Sequence, residues 1–452
     1  MTNSEVIDYV KGHAAGKVKV AFTDIDGILR GKYIATDKFL AVAENGLSFC
    51  DVLFGWDMND AAYDNVQYTG WHTGYPDSPA LIDLTTFRKI PWENDLPFFL
   101  GDMIPQENKS SFVCPRQLLK KVIAETEKEG IAPFFSQEFE WYNFIETPQS
   151  AHDKHFRNLI PLTPGMFGYS ILRSTLKNEY FTDLFELLRK FDIPVEGLHT
   201  ETGPGVYEAA IKYSAILEAA DRAVLFKTAV KEIAYKHNVM ACFMAKADEK
   251  LPGCGGHVHQ SLWDTITKKN LFYDEEDSLK MSAVMKHYIA GQLFCMPHIL
   301  PMFAPTINSY KRLVEGAWAP TTLTWGVDNR TVAIRALPYG SKSGRLETRV
   351  IGADVNPYLA MAASLASGWY GVKNNMALTQ PATVGNGYKE FSYGSLPRDL
   401  NEATQLMKGS EVAKELFGEG FVAHFTQTRE WEWKQHLKAV TDWELKRYFE
   451  IV

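Results

Sequence analysis

The chain of 452 residues is poor in cysteine and has no two of them at close spacing: Cys50, Cys114, Cys242, Cys254 and Cys295 are scattered, and their number is odd. That excludes a disulfide framework and a cysteine-rich zinc module, and fits the reduced thiols of a cytoplasmic protein. A GxxxxGK[ST] loop is also missing, so any nucleotide is held without a P-loop. The most apolar helix candidate, residues 358–372, is too short and interrupted to span a bilayer. Residues 1–8 lack the basic and apolar regions of a signal peptide, so neither membrane insertion nor export is expected. There is no tract of lysine and arginine, and a formal charge of −8 argues against broad nucleic-acid binding. Repeats and low-complexity segments are absent. What remains is an ordinary globular composition, 46% hydrophobic and 23% charged, in a chain long enough for two unequal domains.

Residues 18–22 alternate as a strand, and the Asp24-Ile-Asp-Gly27 turn leads into a second strand over 28–34, a hairpin pattern. A small, mainly β domain is expected over residues 1–105. Pro115 suits the first turn of a helix running to about 129, Gly130 ends it, and 132–144 reads as a strand. Helical periodicity follows over 183–191, 213–237, 278–294 and 357–371, with Asn356-Pro357 as cap and first turn. Strands rich in Val, Ile and Thr alternate with these helices, which makes the class α+β. The segment after Leu396 reads as helical, with Trp431, Trp433 and Trp443 as packing anchors.

What the chain does have is a dense cationic stretch. Lys311, Arg312, Arg330, Arg335, Lys342, Arg345 and Arg349 fall within about forty residues, and such a density needs an anion. Surface strands carry arginines too, but five interleaved with apolar segments such as Thr331-Val-Ala-Ile334 are hard to explain as solvent decoration. Guanidinium groups bind phosphate and carboxylate in bidentate fashion and stabilise charge on a transferred phosphoryl group.

Upstream, Glu138 and Glu140 stand two apart in a strand, so both carboxylates leave one face. His257 and His259 repeat that spacing after a glycine-rich approach, and Glu201 and Glu208 add a further pair of carboxylates. Alone, His-x-His is compatible with a zinc half-site or with two hydrogen-bonded histidines. A supply of glutamate oxygens with one imidazole suits magnesium or manganese better. One competing motif, Asp24-Ile-Asp26-Gly27, resembles the strand end of haloacid-dehalogenase-like phosphatases, although Ile28 stands where that family has Thr.

Taken together, the order and spacing of these motifs resemble the glutamine synthetase family over most of the chain, most closely its γ-glutamylamide-forming branch. The resemblance implies an N-terminal β-grasp domain (1–105) and a glutamine synthetase-type α/β catalytic domain (106–452). It implies two divalent-metal sites, one held by Glu140, Glu201 and Glu208 and the other by Glu138, His257 and Glu347. Glu196, His259, Ser261, Arg335, Lys342 and Arg345 would face ATP. Arg312, Arg330, Arg349 and the Gly253 backbone would hold glutamate and the γ-phosphate, with Arg330 and Arg349 catalytic. The implied cofactor is Mg2+ or Mn2+, with ATP as co-substrate, and the implied assembly is two stacked hexameric rings with active sites between neighbouring subunits.

Two departures bear on the acceptor. Where ammonia-using members carry a glutamate six residues past the arginine of Asn308-Ser-Tyr-Lys-Arg312, this chain has Trp318, with Glu315 three residues away. An indole favours an alkylated or larger amine over ammonium. Pro252 stands where synthetases usually place Asn before the glycine run. The adenylylated Asn-Leu-Tyr-Asp-Leu segment of some bacterial members is missing, so that route of regulation is not expected. Asp57, in Phe54-Gly-Trp-Asp57-Met-Asn-Asp60, is the candidate amine-side carboxylate, supplied across a subunit interface. The expectation is therefore an ATP-dependent ligase of L-glutamate and an amine. The alternatives are a glutamine synthetase using ammonia and a non-catalytic ring relative, the second at odds with six intact metal ligands.

Overall fold

Alternation of apolar and polar residues builds two sheets. The computed structural model describes residues 1–104 and 113–452, so the expected domain boundary at 105/106 lies outside the described residues. The first sheet contains β1 (Lys17–Thr23), β2 (Leu29–Ala35), β3 (Leu47–Cys50), β4 (Asp77–Ile82), β5 (Arg88–Ile90) and β6 (Leu96–Met103). Their order is β2-β1-β6-β4-β3, with β5 on β6. β1 and β6 run parallel at the centre, and β1 and β2 form the expected hairpin. The helices Asn3–Gly12 and Thr36–Val42 supply Val6, Val10 and Phe39 to a core that also takes Phe22 and Phe99. This is the β-grasp-like sheet expected.

The Asp24–Gly27 turn has a structural task. Asp24 accepts from the backbone N–H of Asp26 and Ile28 and from Arg30, while buried Asp26 pairs with buried Arg429 at 2.5 Å. Asp24 is thus consumed within the turn and Asp26 in tying it to the Glu419–Lys438 helix, which accounts for the motif without phosphatase chemistry.

The second sheet contains β7 (Ile131–Phe144), β8 (Val195–Thr200), β9 (Val206–Ile211), β10 (Ser214–Ala215), β11 (Met240–Cys242), β12 (Val258–Asp264), β13 (Trp325–Val327), β14 (Ile334–Leu337) and β15 (Arg345–Thr348). Its order is β13-β14-β15-β12-β7-β9-β8, with β10 and β11 also on β7. Along β7 the odd residues Phe135, Phe139 and Trp141 are buried, and the even ones face outward in part. Phe139 stacks on Phe226 of the Ile216–Lys236 helix at 5.7 Å, so one face of the sheet is core and the other is free for chemistry.

The other expected helices form at Pro115–Glu127, Asn178–Lys190, Ala283–Ile299 and Pro357–Lys373. The last is capped by the Asn356 side chain, which accepts from the Tyr358 N–H, and nearly all of it is buried. It lies so close to Ala283–Ile299 that a Cβ on Gly371 would stand 2.1 Å from the His287 carbonyl oxygen. Tyr213, expected inside a helix, precedes β10 instead, because β10 pairs with β7 before the helix begins. Trp431 packs edge-on to Tyr63 at 5.8 Å and Trp433 rests on the main core. Trp443 corrects the expectation: it is 59% exposed, on a helix, Asp442–Tyr448, that buries no residue. Among the described residues no helix is long and apolar enough to cross a membrane.

Candidate active site

Strand register brings the chemistry together. Across the sheet Glu140 of β7 stands opposite Glu208 of β9, and Glu208 opposite His199 of β8. A second row runs Arg335 of β14, Glu347 of β15, His259 of β12 and Ser136 of β7. Residues directly opposed in antiparallel strands share a face, and Glu140, Glu208 and Arg335 of these two rows line one cleft of about 460 Å3. Its walls include Glu138, Glu140, Glu201, Glu208, Gly253 and His257 together with Arg312, Trp318, Arg330, Arg335 and Arg349. These were all singled out in the sequence.

The remaining predicted residues divide. Glu347 lies buried beneath the cleft, with Arg335 at 2.8 Å and Arg349 paired to its other oxygen. His259 reaches Glu138 at 3.3 Å. Ser261 and Arg345 continue along the same face, Ser261 accepting from Trp263 Nε1 at 2.9 Å and Arg345 donating to His259 at 3.4 Å. Glu196 and Lys342 are exposed and outside the cleft wall. Asp57 is also outside it in this chain, its carboxylate accepting from Trp431 Nε1 at 3.0 Å and from two backbone N–H groups of its own turn. Glu315 is exposed and paired with Lys389.

Gly253 is required by close approach, since a Cβ there would meet the Ala245 carbonyl oxygen at 2.5 Å and the Arg312 side chain at 2.8 Å. Trp318 occupies the left-handed region at φ 57° with 59% of its surface exposed, and its carbonyl accepts from Arg349 at 3.3 Å. The indole therefore lines the cleft mouth and packs in no core. Pro252 is also in the wall, its carbonyl accepting from Tyr142.

The electrostatics are those of a cation site. Burial pushes the Glu140 carboxyl up to about 7, against the pull of Arg312 and the Gly255 N–H, with Glu201 and Glu138 pushing further. Burial likewise raises Glu208 to about 7, opposed by His199. Around Glu138 the balance reverses: burial raises it, but His259 and His257 together hold it well below the usual carboxylate range. Two groups have donor atoms within 4.8 Å of one another, Glu138/His259/Glu347 and His199/Glu201/Glu208. Oxygens with one imidazole each suit a hard divalent cation, so the donor set fits.

Sequence reading missed His199 and Tyr169. His199 stands two residues before Glu201 on a strand, the same spacing that drew attention to Glu138/Glu140 and His257/His259, so the signal was present. Tyr169, whose ring stacks on His199 with centroids 4.4 Å apart, comes from a loop and left no pattern. A third omission lies at the far end of the sheet face. Phe134, Tyr213 and Trp263 surround a cavity of about 270 Å3, with ring centroids 6.2–6.3 Å apart.

The catalytic-domain model of glutamine synthetase matches residues 112–448. The chain is 53% identical over 450 residues to type-1 glutamine synthetase 2 of Dictyostelium discoideum, covering 99% of this chain and 86% of that protein. It is 36% identical to a glutamate–isopropylamine ligase of a Pseudomonas species, covering 99% and 98%. Among solved structures, a GmaS–ADP complex superposes with a TM-score of 0.85 at 25% identity, covering 98% and 99%.

Proposed function

We propose, for a chain that belongs to the glutamine synthetase family, that it joins the γ-carboxylate of L-glutamate to a primary amine at the expense of ATP. The γ-carboxylate attacks the γ-phosphate to give γ-glutamyl phosphate and ADP; the amine then displaces phosphate, leaving a γ-glutamylamide and losing a proton. The observation that carries the ligase reading is that the carboxylates Glu138, Glu140, Glu201 and Glu208 and the imidazole of His257 line one cleft together with Arg312, Arg330, Arg335 and Arg349. Such a cleft gathers a polyphosphate and an acid in one place and lets the arginines stabilise the charge that moves between them.

Family members are ATP-dependent and use divalent metals, which when bound neutralise phosphate charge. Glu138, Glu140, Glu201, Glu208, His257 and Glu347 are the residues proposed to hold them. The nucleotide is proposed to extend along the sheet face past His259, Ser261 and Arg345. The aromatic cavity of Phe134, Tyr213 and Trp263 offers stacking area for a base at that end. Arg312, Arg349 and the Gly253 backbone are assigned to glutamate, and Arg330 to the transferred phosphoryl group.

The preference for an organic amine rests on Trp318, whose exposed indole stands at the cleft mouth while Glu315, the nearest carboxylate in that loop, is tied to Lys389. Asp57 pairs with Trp431 outside the cleft wall of its own chain, and its proposed role is in the cleft of a neighbouring subunit. Exposed apolar side chains at Phe167, Ile171 and Leu172 support association into a ring.

The test is ATP-dependent phosphate release with glutamate and Mg2+ or Mn2+, run against ammonia, methylamine, isopropylamine, ethanolamine, aniline and putrescine, with products identified by mass. Turnover with an organic amine well above that with ammonia is expected. Best turnover with ammonia would make the protein a glutamine synthetase, the reading favoured by the name of its Dictyostelium relative. Silence across the panel with every acid tried would sink the ligase reading.

A further inference from the structure

We propose that a closed ring of hydrogen bonds beneath the sheet, running from Gln260 to Thr348 to Gln292 and back to Gln260, makes these three side chains positioning residues of the cleft. The ring sets the separation of β12 and β15, and with it the side chains that those strands turn towards the nucleotide. The proposal rests on the reading above in which the nucleotide runs along this face, and is independent of the acceptor amine.

Strand alternation places the ring directly under the site. His259 stands opposite Glu347, both on the cleft side, so their neighbours Gln260 and Thr348 turn the other way, into the core. There Gln260 Nε2 donates to Thr348 Oγ1 at 2.6 Å, the Thr348 hydroxyl donates to Gln292 Oε1 at 3.1 Å, and Gln292 Nε2 donates to Gln260 Oε1 at 2.7 Å. All three residues are buried. Tyr288, one turn before Gln292 on the Ala283–Ile299 helix, adds a bond to Gln260 Oε1 at 2.9 Å. The sense of the ring is forced from outside it. The Ser364 carbonyl of the Pro357–Lys373 helix accepts from Gln292 Nε2 at 2.9 Å, which turns Gln292 Oε1 to Thr348, and the threonine hydroxyl is then committed to Gln292 and its lone pair to Gln260. A Cβ on Gly368 would stand 2.1 Å from Tyr288 Cζ, so the tyrosine is seated against the second helix and the ring is referenced to both.

The surrounding core contains Leu262, Phe272, Ile289 and Leu346, and apolar residues would fill such a layer at lower desolvation cost. What a closed polar ring adds is a fixed distance and direction between its members. The seam it bridges is the one that needs this. β12 pairs with β7 from Val258 to Asp264, but with β15 only from Val258 to Gln260. Above that short seam Glu138 and Glu347 offer oxygens within 4.8 Å of each other, and like charges so close push apart the strands that carry them. A clamp below opposes that push and keeps His259, Ser261 and Arg345 at one spacing.

The experiment compares the full-length protein with Gln260→Met, which keeps the bulk of the side chain and opens the ring, while Tyr288 and Gln292 retain the Ser364 carbonyl and Thr348 retains Gln292. Because none of those three is stranded, the thermal midpoint should stay within about 2 °C of the parent's. Backbone amides of β12 and β15, read by hydrogen-exchange mass spectrometry, should exchange about tenfold faster with β8 and β9 unchanged, and Mg2+–ADP affinity by calorimetry should fall about tenfold. In turnover the loss should appear in kcat and in the KM for ATP, with the amine's KM unchanged. A merely structural ring would lower the thermal midpoint and leave the folded protein's affinity and KM values at the parent's, and that result overturns the proposal. Exchange in β12 and β15 that matches the parent overturns it too, as does a parent that binds no Mg2+–ADP. Should Gln260→Met fail to fold, Thr348→Val opens the ring at its middle link and is read in the same way. Exchange and nucleotide affinity are independent of turnover: were the parent to release no phosphate with any amine, the ligase reading would fail, while faster exchange and weaker nucleotide binding in Gln260→Met would still support the ring's role.

Discussion

The charges at the junction of the two sheets and those in the cleft are equally dense, but they are treated in opposite ways. At the junction, buried Arg116 reaches Asp221 at 2.8 Å, Asp102 at 2.8 Å and Asp83 at 2.9 Å, and Tyr358 adds a hydrogen bond to Asp221. Buried Arg429 pairs with Asp26 and donates to the Pro305 carbonyl. Both arginines there find their counter-charges within the chain. In the cleft, by contrast, Glu140 and Glu208 are pushed up towards neutrality by burial, and among the described residues the exposed Arg330 side chain makes no ion pair or hydrogen bond. A structural network closes on itself, whereas a functional one is left unfinished for ligands to complete.

The sharpest way to break this contrast is to remove one arginine from each network. Arg116→Met takes the guanidinium from buried Asp221 and Asp102 and from half-buried Asp83, and is expected to cost roughly 3–5 kcal/mol of stability, measured by denaturant unfolding, with activity falling only as the folded fraction falls. Arg330→Met should leave stability within about 0.5 kcal/mol and lower phosphate release about 10^2- to 10^3-fold. Equal stability losses in the two variants would show that the cleft arginines are structural and that the distinction is false.

This division also explains what was legible beforehand. Pairs two residues apart on a strand, Glu138/Glu140 and His257/His259, announce a shared face by local geometry alone, and the β1–β2 hairpin and the Pro357–Lys373 helix are equally local. Pairings such as Arg116 with Asp221 or Asp26 with Arg429 join residues more than a hundred positions apart, and a lone aspartate or arginine carries no sign of its distant partner. The Asp24-Ile-Asp-Gly27 motif suggested chemistry for that reason, since its partner Arg429 lies at the other end of the chain. His199 combines both cases: its spacing to Glu201 is local and readable, whereas its position opposite Glu208 comes only from the β8–β9 register.

Lys227 is the exception to internal pairing at the junction and offers a pH test. Its ammonium is buried, donates to the Val355 carbonyl at 2.9 Å, and lies 5.8 Å from the Phe139 and Phe243 ring centres. Burial pulls its pKa down to about 7, with Lys231 adding to the effect. The folded state therefore binds fewer protons than the unfolded state between pH 7 and the ordinary lysine value, so stability rises with pH across that window and the penalty is complete below it. Lys227→Met should stabilise the protein by about 2–3 kcal/mol at pH 6, after allowing for the lost hydrogen bond. The gain should shrink as pH rises from 7 to 10. A gain independent of pH would mean that the lysine is solvated after all.

Trp318 poses the smallest effect and the most informative one, because stability and function are expected to move in opposite directions at a single residue. A bulky residue at φ 57° is strained, which costs about 1–3 kcal/mol, and its exposed ring recovers little of that by packing. Strain kept without a packing return points to a functional use of the indole at the cleft mouth. Trp318→Gly relieves the backbone and should raise stability by up to about 1 kcal/mol. It also removes the aromatic face offered to an organic ammonium, worth about 0.5–2 kcal/mol, so the ratio of kcat/KM for the preferred amine to that for ammonia should fall about tenfold. Because Arg349 holds the carbonyl of residue 318 and not its side chain, glutamate's KM should change little. A variant that gains stability with selectivity intact would mean that the indole never meets the acceptor, and would move the choice of amine to Tyr169 or to a residue supplied by a neighbouring subunit.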